Sequence, residues 1–326
     1  MRTPRTRSLL AALLALMMVL AACGDGDNGE AAVDDADEGE ELALDLDDDD
    51  DAVEEDDEAV EEDDDADAAD DAEFDLVAAV TEYTETIPEG WMMHRTMEDF
   101  EDARQVEGTI IVDVRQPEEV EENGVVPGSI NIPLRELAQS LEFIPSDQPV
   151  IVVCAAGWRA GIATSSLRML GYDNVLGFRP GAPGWIADGN EPTFELMEME
   201  SFGEPDFVDP DLLAEVDGFH STLPDGWLTA GSAEEVLEAQ AAGATLVDIR
   251  QPENFEEGFV EDALTIPIRD LAATDEIPTD TNVIAYCQSG WRTGLSMPIL
   301  HLLGYDNVTG YAGNFDGFVD AGAVTQ

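Results

Sequence analysis

The 326-residue chain contains no lysine, and its 13 basic residues, all arginine, are opposed by 75 aspartates and glutamates. The formal net charge is therefore −62. Phosphate binding requires clustered lysine and arginine, so this composition excludes nucleic acid as an expected partner. An acidic surface without lysine also favours a salt-rich setting, because dissolved ions screen the repulsion between carboxylates.

Histidine and cysteine are also scarce, at three residues each. The histidines, His94, His220 and His301, occupy unmatched positions in the two copies of a repeat described below. Zinc needs several histidine or cysteine ligands close together, so the sequence indicates no metal site.

One long apolar run lies near the start of the chain. The run "SLLAALLALMMVL" follows the basic stretch "MRTPRTR", and its 13 residues are too few to cross a bilayer comfortably. A basic stretch followed by a short apolar one predicts a signal peptide, here over residues 1–22, and therefore export.

The stretch "LAAC" at residues 20–23 resembles the lipobox of bacterial lipoproteins. The resemblance implies that Cys23 carries lipid, becomes the first residue of the mature chain and holds the protein at the outer face of the cell membrane. An ordinary secretory signal followed by a chance cysteine is the alternative. Residues 23–75 are mostly Asp, Glu, Ala and Gly, which predicts a disordered acidic tether.

The rest of the chain is an internal repeat. The segment "LVAAVTEYTETIPEGW" returns as "LLAEVDGFHSTLPDGW", "VDVRQPEE" returns as "VDIRQPEN", and "LGYDNV" occurs unchanged at residues 170–175 and 303–308. Two homologous domains are therefore predicted, at residues 76–200 and 205–326. The join between them is rich in Glu, Asp and Pro.

Short β-rich runs alternate with amphipathic stretches in the first copy. The predicted strands are "TIIVDV", "SINIP", "PVIVVC" and "NVLGF", and the predicted helices are "TMEDFEDARQVEG", "LRELAQSLEF" and "RAGIATSSLRML". Strands that are apolar on both faces are typical of a small parallel sheet flanked by helices, an α/β fold. Ligand sites in such folds lie at the carboxyl ends of the strands.

Two cysteines occur in matching loops at such strand ends. The first loop begins "CAAGWR" and the second "CQSGWR", and their residues are Cys154, Ala155, Ala156, Gly157, Trp158 and Arg159, then Cys287, Gln288, Ser289, Gly290, Trp291 and Arg292. A loop that leaves a strand and enters a helix directs backbone N–H groups towards a bound anion. We expect these groups and the arginine to lower the pKa of each thiol and to hold an anionic substrate. The two tryptophans either line that pocket or only cover the helix start.

Together with these loops, "VDVRQPEE", "PGSINIP" and "GFRPGAPGW" make each copy resemble a rhodanese domain. The resemblance implies a sulfurtransferase that needs no metal or organic cofactor. Cys154 and Cys287 would each take a sulfane sulfur from a small anionic donor such as thiosulfate, forming a persulfide. A thiol or cyanide would then accept the sulfur, and the other loop residues would bind the donor.

Three features depart from that resemblance. The histidine that the family often carries in "GHIPGA" is missing from both "GVVPGS" and "GFVEDA". Both copies keep the cysteine, whereas many tandem members keep only one. Pro298 falls inside the helix after the second loop, where a proline costs about 3 kcal/mol unless accommodated. We therefore expect a kink there, and a larger loss of turnover from Cys154→Ser than from Cys287→Ser.

Two other functions are considered for this fold. Dual-specificity phosphatases use a C-x5-R loop, whose additional residue widens the cradle for phosphate, whereas both loops here are C-x4-R. A non-catalytic module at the cell surface, carrying sulfur or binding a partner, is opposed by the retention of both cysteines and both arginines. Asp113 and Asp248, beside Arg115 and Arg250, are predicted to form structural ion pairs.

Overall fold

The computed structural model of the protein describes residues 74–325, so the predicted signal peptide and nearly all of the predicted tether lie outside the described residues. The first domain consists of α1 (Leu76–Thr86), β1 (Met93–His94), α2 (Met97–Arg104), β2 (Ile110–Asp113), α3 (Pro117–Asn123), β3 (Ser129–Asn131), β4 (Val150–Val153), α4 (Trp158–Met169), β5 (Val175–Phe178) and α5 (Gly181–Ala187). The second consists of α6 (Pro210–Ser221), α7 (Ala233–Ala241), β6 (Thr245–Asp248), α8 (Pro252–Glu256), β7 (Phe259–Val260), β8 (Leu264–Thr265), β9 (Val283–Tyr286), α9 (Trp291–Leu302), β10 (Val308–Gly310), α10 (Asp316–Asp320) and β11 (Val324–Thr325).

The first domain is built on a five-stranded sheet in the order β1-β5-β4-β2-β3. Every pairing in it is parallel, and Val112 of β2 lies between Ile130 of β3 and Val152 of β4. All four residues of β4 are buried. Its sequence, VIVV, suits a strand that helices cover on both faces, because β-branched side chains pack well on a pleated surface.

The second domain repeats this plan with a parallel sheet in the order β10-β9-β6-β8. Its central strand β9 is fully buried, like β4. A parallel bridge between Thr229 and Gly310 takes the place of the edge strand β1, and β11 pairs with β7 as a separate antiparallel ribbon. The predicted α/β class, with two tandem domains, is confirmed.

Most elements predicted for the first domain are present. The four predicted strands correspond to β2, β3, β4 and β5, and two of the predicted helices correspond to α2 and α4. The helix predicted at residues 134–143 is wrong, because this stretch forms two 3₁₀ turns, Leu134–Gln139 and Leu141–Phe143. Apolar residues spaced three or four apart suit either kind of helix. The buried side chains that misled the prediction are Leu134, Leu137 and Leu141.

The two helices that follow the cysteine loops, α4 and α9, pack against each other. Glycines permit this contact: a Cβ on Gly161 would lie 3.2 Å from the Trp291 carbonyl oxygen, and a Cβ on Gly294 would lie 2.8 Å from that of Trp158. Trp158 and Trp291 are the first residues of α4 and α9. The two domains therefore meet directly beside both cysteine loops.

Each domain also packs against the N-terminal helix of the other. Helix α6 lies on the 3₁₀ turn at Leu134–Gln139, and α1 contacts both α9 and the 3₁₀ turn at Ile268–Asp270. Two arginines at equivalent positions of the repeat stabilise these contacts between the domains. Each donates a hydrogen bond from Nε to a backbone carbonyl of the other domain. Arg135 donates to Leu223 at 2.9 Å, and Arg269 donates to Ile87 at 2.8 Å. The domains are thus joined by contacts that occur twice, once in each direction.

Helix α9 runs for 12 residues, the same length as α4, with Pro298 in its interior. The proline lacks an N–H group and so leaves one carbonyl of the preceding turn without its helical donor. The helix nevertheless continues past it. No helix within residues 74–325 combines the length and apolar character needed to cross a bilayer.

Candidate active site

Both cysteine loops lie at the carboxyl end of a central strand, as the sequence predicts. Cys154 follows β4 and Cys287 follows β9, and the loops lead into α4 and α9. Gly157 and Gly290, which cap these helices, have φ angles of +87° and +78°. A Cβ on Gly157 would lie 2.6 Å from the Arg179 carbonyl oxygen, and the turn at Gly290 is equally crowded. Only glycine fits either turn.

The Cys154 thiol is buried at the start of α4, where the residue is 1% exposed. Its Sγ accepts a hydrogen bond from the Gly157 N–H at 3.1 Å. Burial raises the pKa of this thiol, although the Ala160 N–H, the Arg159 guanidinium and the N–H groups of Ala156 and Gly157 act to lower it. The expectation of a lowered thiol pKa is therefore wrong for Cys154, because removal from water outweighs the electrostatics of the loop.

The second loop is equally enclosed. Cys287 is fully buried, Ser289 is half-buried and Gln288 is exposed. The Gln288 carbonyl accepts a hydrogen bond from the Phe315 N–H at 3.0 Å, and the Ser289 carbonyl accepts one from Arg179 of the first domain at 3.4 Å. The shape of this loop therefore depends on both domains. In the first loop, Ala155 is half-buried and Ala156 is exposed.

Arg159 forms a two-pronged ion pair with Glu119 on α3. Its Nη1 and Nη2 donate to the two carboxylate oxygens at 2.5 and 2.7 Å. Burial acts to lower the pKa of this guanidinium, but the hydrogen bonds to Glu119 and the nearby Cys154 raise it overall. Arg159 in turn lowers the pKa of the Glu119 carboxyl. The positive charge beside Cys154 is thus already paired with a carboxylate.

Arg292 has a different environment. In the second copy, Asn254 occupies the position of Glu119. The Nη1 atom of Arg292 is buried and has no hydrogen-bond partner among residues 74–325. Its guanidinium lies 4.0 Å from the centre of the Trp91 ring. Burial lowers the pKa of this group, and Arg250 and Arg95 lower it further, yet an arginine stays protonated at any ordinary pH.

Trp158 and Trp291 are buried in the contact between the domains. The Trp158 Nε1 donates to the Trp227 carbonyl at 2.7 Å, and the Trp291 Nε1 donates to the Trp91 carbonyl at 2.7 Å. Glycines in the opposing sheets make room for the two rings. Each indole therefore inserts into the opposite domain, a role that neither sequence interpretation included. Contact of these rings with a substrate stays a prediction.

Trp91 and Trp227 are site residues that the sequence reasoning missed. Their φ angles are +60° and +54°, and the next residues, Met92 and Leu228, also lie in the left-handed region. Bulky residues adopt this conformation at a cost of about 1–3 kcal/mol. The bend directs each carbonyl at the indole of the opposite loop and leaves each ring over that loop's arginine. The sequence feature that could have revealed these two residues is the "GW" dipeptide that both copies of the repeat share.

The predicted structural ion pairs are confirmed. Arg115 Nη2 lies 2.6 Å from an Asp113 oxygen, Arg250 Nη2 lies 2.7 Å from an Asp248 oxygen, and all four side chains are nearly inaccessible. The same Nη2 atoms donate to the carbonyls that follow α3 and α8, those of Gly124 and Gly258. Each pair therefore ties a strand end to the next turn.

The fold and the site together define a class of protein domain. It is an α/β domain with a buried thiol in the turn between a central parallel strand and a helix, and this chain contains two such domains. The family model described as "Rhodanese-like domain" matches residues 96–188 and 232–321, which together are more than half of the chain. The protein therefore belongs to the rhodanese-like domain family.

The chain is also similar to several proteins of known name. A sulfurtransferase of Allochromatium vinosum is 31% identical over 83 residues, which cover 26% of this chain and 77% of the relative. A Haloferax volcanii protein named "Putative thiosulfate sulfurtransferase" is 27% identical over 192 residues, which cover 49% of this chain and 62% of the relative. Among solved structures, SseA of Escherichia coli is similar at a TM-score of 0.35 and 18% identity, covering 69% of this chain and 98% of its own.

Proposed function

We propose that the protein is a sulfurtransferase in which Cys154 and Cys287 carry sulfur as persulfides. The observation that carries this proposal is the same arrangement in both domains: a buried thiol, a left-handed glycine and an arginine at the start of a helix. At the first loop, the Gly157 N–H already donates to the sulfur at 3.1 Å. Such N–H groups would hold the outer sulfur of a persulfide equally well.

The reaction has two steps. A cysteine thiolate attacks the outer sulfur of thiosulfate, a new S–S bond forms, and the bond to the sulfonate breaks so that sulfite leaves with the electron pair. A thiol or cyanide then attacks the outer sulfur of the cysteine persulfide and releases the cysteine thiolate. The chemistry is covalent and proceeds by substituted-enzyme kinetics.

A thiosulfate pulse on the reduced full chain tests this proposal. Peptide mapping should find one added sulfur atom on Cys154 and on Cys287, and cyanide should remove it as thiocyanate. The variant with both cysteines replaced by serine is the control and should do neither. Absence of a persulfide at both cysteines, with turnover of an aryl phosphate, would overturn the proposal in favour of a phosphatase. Persulfides that neither cyanide nor thiols remove would point to a sulfur carrier.

We also propose export and lipid attachment at Cys23, on the strength of the short apolar run that ends in "LAAC". The lipid would hold the domains at the outer face of the cell membrane. Mass spectrometry of the native protein should find a mature chain that begins at Cys23 and carries acyl groups. A Cys23→Ala variant should be neither acylated nor retained on the membrane. An unmodified native chain that starts at another residue would contradict this proposal.

A further inference from the structure

The two cysteine loops share a backbone plan but differ in charge. At the first loop, Glu119 binds both ends of the Arg159 guanidinium. At the second, the matching residue is Asn254, and Arg292 Nη1 is buried without a partner among residues 74–325. A bidentate carboxylate competes directly with an anionic ligand for the same donors. An anion at the second loop meets no such competitor at that nitrogen.

The first domain supplies further positive charge to the second loop. Arg179 Nη2 donates to the Ser289 carbonyl at 3.4 Å and to Asn314 Oδ1 at 3.2 Å, and its Nε is buried with no partner among the described residues. In the repeat, the residue of the second domain that corresponds to Arg179 is Ala312, which carries no charge. The first loop therefore has no counterpart of this arginine.

Arg95 adds to the same imbalance. It lies close enough to Arg292 to affect its ionisation, whereas the matching residue in the second domain is Gly231. The charge environments of the two loops thus differ at three positions of the repeat, and all three differences make the second loop more positive. A potential of this kind raises the local concentration of small anions.

We propose that the Cys287 loop is the preferred entry site for the anionic sulfur donor, and that Glu119 weakens the binding of small anions at the Cys154 loop by occupying Arg159. This assignment rests on the proposed sulfurtransferase function and deepens it. Glu119 and Asn254 are then the residues that set the charge preference of each site. The assignment also reverses the ranking that Pro298 suggests from the sequence.

Two reciprocal variants of the full chain test the assignment. After a brief thiosulfate pulse, Cys287 should carry persulfide about tenfold faster than Cys154 in the wild-type protein. Glu119→Gln should raise labelling of Cys154 about tenfold, and Asn254→Glu should lower labelling of Cys287 by a similar factor. The exposed neighbours Glu118 and Glu253 provide the matched controls Glu118→Gln and Glu253→Gln, which should change neither rate.

A second measurement separates failure of this assignment from failure of the sulfurtransferase proposal. Iodoacetate and iodoacetamide alkylate thiols and differ in charge, so their rate ratio at each cysteine reports charge preference without sulfur transfer. The anionic reagent should be favoured at Cys287, and Glu119→Gln should shift the ratio at Cys154 towards that of Cys287. Equal ratios at the two cysteines, or a ratio at Cys154 that Glu119→Gln leaves unchanged, would overturn the assignment even if both persulfides form. Absence of any persulfide would overturn only the proposed sulfurtransferase function. The alkylation ratios would still decide whether the two loops differ in charge preference.

Discussion

The two domains hold equal numbers of acidic residues but different numbers of arginines. Residues 76–200 contain 22 acidic residues and seven arginines, and residues 205–326 contain 22 acidic residues and three arginines. The domain with fewer arginines nevertheless has the more positive cysteine loop, because Arg179 of the first domain reaches it and, with Asn254 in place of Glu119, Arg292 Nη1 has no hydrogen-bond partner among residues 74–325. The charge of a site in this protein therefore depends on single residues beside the loop and on how the repeats pack, not on the overall composition of either repeat.

The largest effect is expected from the indoles that cross between domains. Trp291→Ala should lower the free energy of unfolding by about 3–5 kcal/mol, since it empties a buried site and leaves the Trp91 carbonyl without its donor. Trp185→Ala is the matched control, because Trp185 is also buried but packs within the first domain. We expect urea unfolding of Trp291→Ala to split into two steps as the domains uncouple, and that of Trp185→Ala to stay in one. A single step in both variants would contradict the coupling.

The next effect concerns His220, whose counterpart in the first domain is Thr84. Its Nδ1 lies 2.8 Å from the Leu134 carbonyl and its Nε2 lies 2.8 Å from the Ser166 hydroxyl, an arrangement that suits a neutral ring. Burial lowers the pKa of His220 from 6.5 to about 4. The unfolded chain therefore binds this proton first, and stability is lost as pH falls from the unfolded pKa towards the folded one.

Urea unfolding at several pH values checks this expectation. Between about pH 7 and pH 4.5 the wild-type protein should lose about 2–3 kcal/mol more than His220→Gln, which can keep both hydrogen bonds but does not titrate. The carboxylates contribute equally to both proteins and cancel in the difference. His94→Gln is the control, because His94 is only half-buried and should give a smaller difference. A difference that does not vary with pH would show that His220 is not held neutral.

The third effect compares the two cysteines in turnover. With thiosulfate and cyanide, Cys287→Ser should lose about tenfold or more of the rate, which corresponds to about 1.4 kcal/mol in the barrier. Cys154→Ser should lose less, because Glu119 already occupies its arginine. Initial rates of thiocyanate formation at limiting thiosulfate would measure both. A larger loss from Cys154→Ser would restore the ranking based on Pro298.

Only part of the fold and of the candidate site could be predicted from the sequence. The strands, the turn glycines and the cysteine loops were predictable because the physical reasons for them lie within a few residues, as in the VIVV run of β4. The partners of the loop arginines were not, since Arg159 reaches Glu119 over 40 positions and Trp291 reaches Trp91 over 200. The burial of the Cys154 thiol could not be predicted from the sequence either, because it depends on how the whole domain packs around the loop and not on the loop motif. The substitution of Asn254 for Glu119 was visible in the repeat, but its meaning required the position of Arg159.

The smallest effect concerns salt. Acidic residues outnumber arginines in both domains, and the Debye length falls from about 10 Å at 0.1 M salt to about 3 Å at 1 M. Potassium chloride should therefore raise the melting temperature by a few degrees, and the second domain, with only three arginines, should gain more than the first. Hydrogen exchange resolved along the chain would show this as a larger slowing within residues 205–326. Sucrose at equal osmolality is the control, because it favours compact states without screening charge and should slow both domains alike. Equal slowing in salt as well would mean that the repulsion acts across the domain contact and not within the second domain.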